Sequence, residues 1–315
     1  MKSDFASLVP NRYAQAPLAG YTDVGFRYLC AKYRCGLIVS EMVSAMSLFQ
    51  KNKVAFDMLG IEAPPGSAGL HAVQLFGHRP EIFAEVAKYD EVRKFDVVDI
   101  NMGCPVPKVT KNGEGSALMR NLPLASAIIQ SVVRNCGRPV TVKFRKGYTE
   151  NDVNAVEFAK MCADSGASAI TVHGRTKEQM YGGAADMDII AEVAAAVDIP
   201  VYANGDIDGA EKAAAVLRRT GAFGAAIGRG AVGRPWLYDC LNGGDGKHYL
   251  LADIETHYDI MLKHLPPRVV AGEMKKHAAA YLKGMRGAKP VVNRIFSSSE
   301  VGEQLALIRE FIGSR

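Results

Sequence analysis

The chain has 315 residues, 48% hydrophobic and 23% charged, enough for one large domain or two smaller ones with a full core. No apolar run is long enough to span a bilayer, and residues 1–7 lack the basic cap and apolar stretch of an export leader, so a cytoplasmic protein is expected. Six cysteines are scattered singly, with no Cys-x-x-Cys pair or Cys/His cluster, which argues against a disulfide framework and gives no sign of a metal.

Short apolar runs alternate with longer helical patterns along the chain. Residues 13–19 read as a first strand and 23–33 as a helix; 36–41 as a second strand; 71–76 as a third, followed by a helix opening near Pro80. The run 95–100 is apolar enough to be buried on both faces, ends at Asn101 and is followed by a mobile loop over 106–116. Residues 139–145 make a fifth strand with a helix at 151–165. Residues 167–173 make a sixth with a helix at 188–197, 199–204 a seventh with a helix at 208–220, and 223–228 an eighth. Eight strands alternating with helices predict an α/β fold, a closed (β/α)8 TIM barrel rather than an open doubly wound sheet. Asn101, Lys143, His173, Asn204 and Gly228 all fall where strands finish, the end at which barrels keep their chemistry. Residues 242–247 read as a Gly-rich linker, and three helices follow, at 253–265, 268–285 and 299–311. The expected division is a barrel domain over 1–242 and an appended all-helical domain over 243–315.

The net charge of +5 is unevenly placed. From Lys263 to Arg294 stand eight bases and one acid, Glu273, so that stretch carries +7 and the rest about −2. Drawn as one helix, Arg268, Lys275, Lys276, Lys283 and Arg286 share an arc of about 100°, opposite Val270, Met274, Ala278, Tyr281 and Met285. A solvated face is normally mixed in sign; a face of one sign favours a polyanion such as nucleic acid.

Cys104 lies just past the fourth strand, between Gly103 and Pro105. As a thiolate it is a nucleophile; as a thiol it is a proton donor, and the local field decides. Lys143 interrupts an apolar strand, so it either faces an anion or reaches solvent. His173 is either a capped core histidine or, with Arg175 two residues on, part of an anion-facing site. The strand ends Asn204-Gly-Asp-Ile207 and Gly228-Arg229-Gly230 supply glycines and a guanidinium suited to a phosphate, and Gln74 ends the third strand where it can meet a planar heterocycle.

The segments Ala16-Pro-Leu-Ala-Gly-Tyr-Thr-Asp23, Asp99-Ile-Asn-Met-Gly-Cys-Pro105, Thr171-Val-His-Gly-Arg-Thr176, Ala203-Asn-Gly-Asp-Ile207, Ile227-Gly-Arg229, Gly233-Arg-Pro-Trp236 and Met274-Lys-Lys-His277 together resemble the tRNA-dihydrouridine synthases, most closely the bacterial B-type group. The resemblance runs from the first strand into the helical tail. It implies an FMN-bound barrel with an RNA-binding helical domain, in which NADPH reduces the flavin and the reduced flavin passes hydride to C6 of a tRNA uridine. Carried over by motif, Cys104 protonates C5 and Asn101 helps hold the uracil. Pro17, Leu18, Ala19, Gln74, Lys143, His173, Asn204, Gly205, Asp206, Gly228 and Arg229 bind FMN. Arg145 and Arg175 face the nucleotide or a flavin phosphate, and Lys275 and Lys276 meet tRNA. No metal, membrane or obligate protein partner is implied. Leu18 stands where the family usually has methionine, a near-isosteric change. The alternative is an FMN-dependent TIM-barrel oxidoreductase acting on a small molecule, of the dihydroorotate dehydrogenase kind, which has no need of the cationic tail.

Overall fold

The computed structural model describes residues 5–314; residues 1–4, where the segment read for a leader begins, and residue 315 lie outside them. Strands β1 (Tyr13–Gln15), β2 (Leu37–Ser44), β3 (Leu70–Phe76), β4 (Val97–Met102), β5 (Val140–Arg145), β6 (Ala169–His173), β7 (Val201–Asn204) and β8 (Gly224–Ile227) pair in sequence order, and β8 closes in parallel onto β1. The eight-stranded barrel is therefore present and has no open edge.

Two-residue periodicity sorts the side chains. Val97 packs in an apolar plug with Leu37, Ala169 and Tyr202. Two residues further along β4, Asp99 meets Thr141 of β5 inside the barrel. Two residues beyond that, Asn101 pairs in register with Lys143, and both face the open end. The same step carries β5 on to Arg145 and β6 to His173, which are register partners. A bulge in β2 between Val39 and Met42 turns Met42 toward that end. Every residue of β4 is buried, as its composition predicts.

Three expectations shift. The first strand stops at Gln15 rather than running to residue 19: Pro17 has no N–H for a ladder, and the Tyr21 and Thr22 amides fold back onto the Leu18 carbonyl. The loop after Cys104 carries a helical turn, Pro107–Thr110, opened by its proline, and a 3-10 segment, Gly115–Arg120. The tail has four helices, Leu250–His264, Pro267–Tyr281, Ala288–Ser297 and Val301–Gly313, not three. Gly284 and Gly287, at φ +85° and +77°, break the expected 268–285 helix after Tyr281. Lys283 and Arg286 therefore lie beyond its end, and the single cationic arc drawn for an unbroken helix does not form.

The tail packs on the barrel wall. Val270, Met274, Ala278 and Tyr281 are buried, as the pattern predicts, among Ile254, Tyr258 and Ile308. The same cluster takes in Val24 and Leu29 from the barrel helix Val24–Lys32. Asp253 adds polar ties, accepting from Lys32 Nζ and Tyr33 Oη at 2.6 Å each. Among the described residues no helix is long and apolar enough to cross a membrane.

Candidate active site

The carboxyl ends of the strands open into a cavity of about 920 Å³. Pro17, Leu18, Ala19, Gln74, Asn101, Cys104, Lys143, Arg145, His173, Asn204, Gly205, Asp206, Gly228 and Arg229 all line it, whereas Arg175, Lys275 and Lys276 do not.

A chain of polar contacts rises from the barrel interior to the thiol's own backbone. Asp99 accepts from Thr141 Oγ1 at 2.5 Å and from Gln74 Nε2 at 2.6 Å. Gln74 Oε1, its orientation thus fixed, accepts from Asn101 Nδ2 at 2.9 Å. Asn101 Oδ1 accepts from the backbone N–H of Cys104 at 2.9 Å and of Gly103 at 3.3 Å. Each of the two amides has a second N–H to offer the cavity.

Cys104 is half-buried, and its carbonyl is pinned by Ser116 Oγ and N–H at 2.9 and 3.1 Å. Burial pushes the thiol pKa up and outweighs the downward pull of the Val106 backbone, Arg145 and Lys143. The group is therefore a thiol at neutral pH, the form that suits proton donation.

Lys143 donates to Asn204 Oδ1 at 3.0 Å, and Asn204 is itself held through Nδ2 to the Ala226 carbonyl at 2.7 Å. That partner is neutral. Burial, then the Arg145 charge, bring the ammonium down to about 8, against the pull of Asp99 and Cys104. A cation sheltered with only an amide for company suits an arriving anion. Burial, with Lys143, Arg145, Arg175 and Arg229 around it, drives His173 far below the usual histidine range. It is a neutral imidazole at any working pH, able to donate from one nitrogen and accept at the other.

Arg145 lines the cavity and places three of its five N–H groups on backbone: Gly103 O at 2.8 Å, Thr176 O at 2.8 Å and Met180 O at 3.0 Å. It ties the Cys104 loop to the loop after β6. Arg175 sits behind the wall, its guanidinium on Gly182 O at 2.9 Å, Gly183 O at 2.6 Å and Asp206 Oδ2 at 2.8 Å. Burial resists the Asp206 charge, but Arg175, the Ala185 amide and Arg229 bring its carboxyl below the usual range. Arg229 reaches Asp206 only at 3.4 Å and stays exposed, so it can turn to a phosphate.

Lys275 donates to Phe296 O at 2.8 Å on the tail. Lys276 turns inward, paired with Glu273 and 5.8 Å from the Tyr21 ring centre. Several lining residues were not assigned to the site from the sequence: Tyr21, Met42, Met180, Tyr181, Lys212, Arg234, and Lys283, which was read only as part of the tail's cationic face. Tyr181 lies 4.8 Å from the Arg229 guanidinium and 5.9 Å from that of Arg145. Its one sequence signal is an aromatic residue beside Gly182-Gly183, in a stretch read as neither strand nor helix. Lys283 and Ala280 reach the cavity from the tail, which a strand-end search does not visit. Six lining cations, Lys143, Arg145, Lys212, Arg229, Arg234 and Lys283, face two lining carboxylates, Asp206 and Asp208, so the mouth favours anions.

The family model for dihydrouridine synthases matches residues 14–313. The chain is 36% identical over 319 residues to tRNA-dihydrouridine synthase B of Pseudomonas aeruginosa, covering 98% of this chain and 94% of that protein. It is 42% identical over 263 residues to tRNA-dihydrouridine synthase B of Shewanella oneidensis, covering 81% and 79%. Among solved structures, nitroalkane oxidase from Streptomyces ansochromogenes aligns with a TM-score of 0.44 and 20% identity over 73% of this chain and 68% of that one, a likeness too loose to add to the barrel already described.

Proposed function

The chain belongs to the dihydrouridine synthase family, and from that premise we propose that it reduces uridines of tRNA to 5,6-dihydrouridine with FMN as its cofactor and NADPH as the reductant. The observation that carries this reading is a protonated thiol, Cys104, sharing one anion-favouring cavity with the partly buried ammonium of Lys143. The small-molecule alternative gives no account of the family match, nor of the tail's Lys283 in the cavity wall.

The lining fits FMN. Among the described residues Lys143 offers a charge hydrogen-bonded to an amide alone, Gln74 keeps one amide N–H beyond the one given to Asp99, and Arg229 stands exposed and loosely paired. Pro17, Leu18 and Ala19 supply an apolar edge, with His173, Asn204, Gly205, Asp206 and Gly228 around the rest. When bound, the flavin supplies the hydride for C6 of the uracil. Asn101 keeps one amide N–H to hold the pyrimidine and uses its oxygen to aim the Cys104 backbone. Cys104 Sγ gives its proton to C5, and the resulting thiolate is stabilised by Arg145 and Lys143. Arg145 acts by fixing Gly103, and Arg175 by fixing the 182–183 turn and Asp206.

A uridine in folded tRNA must leave its stack to reach this depth, so the RNA has to be gripped elsewhere. The division proposed is a catalytic barrel over 1–242 and an RNA-binding tail over 243–315, with Lys275 and Lys283 among the tail's cations; Lys276 is drawn toward the barrel instead. The reading carries with it a cytoplasmic location. Purified protein incubated with FMN, NADPH and an unmodified tRNA transcript is expected to add one H2 per reduced uridine, mapped by mass spectrometry of RNase fragments. NADPH oxidation without any mass gain in tRNA would instead favour a small-molecule reductase.

A further inference from the structure

Asp23, the N-cap of the barrel helix Val24–Lys32, meets two histidines of the tail. His257 Nε2 lies 2.9 Å from Asp23 Oδ1 and donates to it, since a carboxylate only accepts, and its Nδ1 lies 3.0 Å from Tyr281 Oη. His277 Nε2 lies 2.8 Å from Asp23 Oδ2, close enough for attraction but off the line that a hydrogen bond needs, and neither ring nitrogen of His277 has a hydrogen-bond partner. Both histidines are fully buried, with ring centres 4.5 Å apart. Burial raises the cost of the Asp23 charge, yet His257 and His277 hold its carboxyl well below the usual range. These separations are those of hydrogen-bonded and ion-paired atoms; ligands spread tetrahedrally around a zinc at about 2.0 Å sit further apart.

The cluster adjoins the cavity. The Tyr21 ring lines it and stands edge-on to His277 at 5.6 Å. Gly20 donates its N–H to Glu41, and Lys276 of the tail reaches the same turn. The segment from residue 17 to residue 23 is thus held at Gly20, Tyr21 and Asp23 by β2 and the tail, and its near end is the apolar edge proposed for FMN.

We propose that Asp23, His257 and His277 are positioning residues through which the helical tail sets the Pro17–Ala19 edge of the cofactor site, so that FMN affinity depends on the tail. This rests on the flavin reading above. The test uses the full chain freed of flavin and titrated with FMN. Asp23→Asn keeps the helix cap, since asparagine caps as well as aspartate, but removes the charge that both histidines face. His277→Leu removes the other side of the contact. Each is expected to raise the FMN dissociation constant about tenfold and to change the bound flavin's visible spectrum, while tRNA affinity at saturating FMN stays within about twofold. Asp23→Glu, which restores the charge, should recover part of the affinity. Wild-type FMN affinity and spectrum in both variants, with only a lower melting temperature, would overturn the proposal and leave the cluster a purely structural tie. Failure of the wild-type chain to bind FMN, or FMN binding indifferent to Lys143→Met, would instead overturn the flavin reading and the proposal with it.

Discussion

Lys143 carries its ammonium in surroundings that resist charge. Its folded pKa is near 8, against about 10.4 in an unfolded chain. Between those values the folded state binds fewer protons than the unfolded one, so this residue makes stability rise with pH through that window. An anionic ligand needs the charge, and above pH 8 its binding must take up a proton. FMN affinity is therefore expected to fall with rising pH from about 8, by up to about tenfold per unit, and to be weaker and flat in Lys143→Met. Fluorescence titration from about pH 7 to 9.5 checks this; a level wild-type profile would separate Lys143 from the anion. Cys104 is shifted the other way, burial favouring its neutral thiol, so the two groups stand in the protonation states that the reaction needs at neutral pH.

At the scale of elements, barrel and tail share buried side chains and approach closely at Gly233. Gly233, at φ +74°, precedes the barrel's last helical turn, and a Cβ there would lie 2.5 Å from the backbone carbonyl of Ala280 in the tail helix Pro267–Tyr281. Gly233→Ala is expected to cost about 2 kcal/mol or more in urea unfolding, from backbone strain plus a contact that backbone atoms cannot relieve. A neutral result would mean that the two surfaces slide freely. The barrel itself was legible because short buried stretches rich in apolar residues recur between helical patterns and carry polar residues toward their carboxyl ends, as Asn101 in Val97–Met102 and Arg145 in Val140–Arg145 do. Cys104, Lys143 and the strand-end asparagines were legible for the same reason. What was not legible depends on neighbours far along the chain. Arg175 has the sequence setting of a ligand contact but lies outside the cavity lining, held by two carbonyls and Asp206. Lys276 has that of a solvent-facing cation but is drawn to the turn at Gly20. Asp23, His257 and His277 are separated by more than 200 residues of sequence at their widest, and no local spacing marks their meeting. The extra helix at Ala288–Ser297 was hidden because Pro290, Val291 and Val292 near its start are weak helix formers and no side chain caps it.

Taken as a whole molecule, the chain joins two chemical jobs at one opening. The barrel presents a thiol, an ammonium and a neutral imidazole to a shared cavity, and the tail closes part of that cavity with Ala280 and Lys283 while carrying most of the excess positive charge. In the proposed function, RNA held by the second part is presented to the first. The central claim is that Cys104 is the proton source for C5. It is tested most directly by a single turnover in which FMN, reduced in the protein by NADPH, is mixed anaerobically with unmodified tRNA. Cys104→Ala should slow flavin reoxidation by tRNA about 100- to 10,000-fold while leaving reduction by NADPH at the wild-type rate. Reoxidation by tRNA at the wild-type rate, or loss of both half-reactions together, would contradict it.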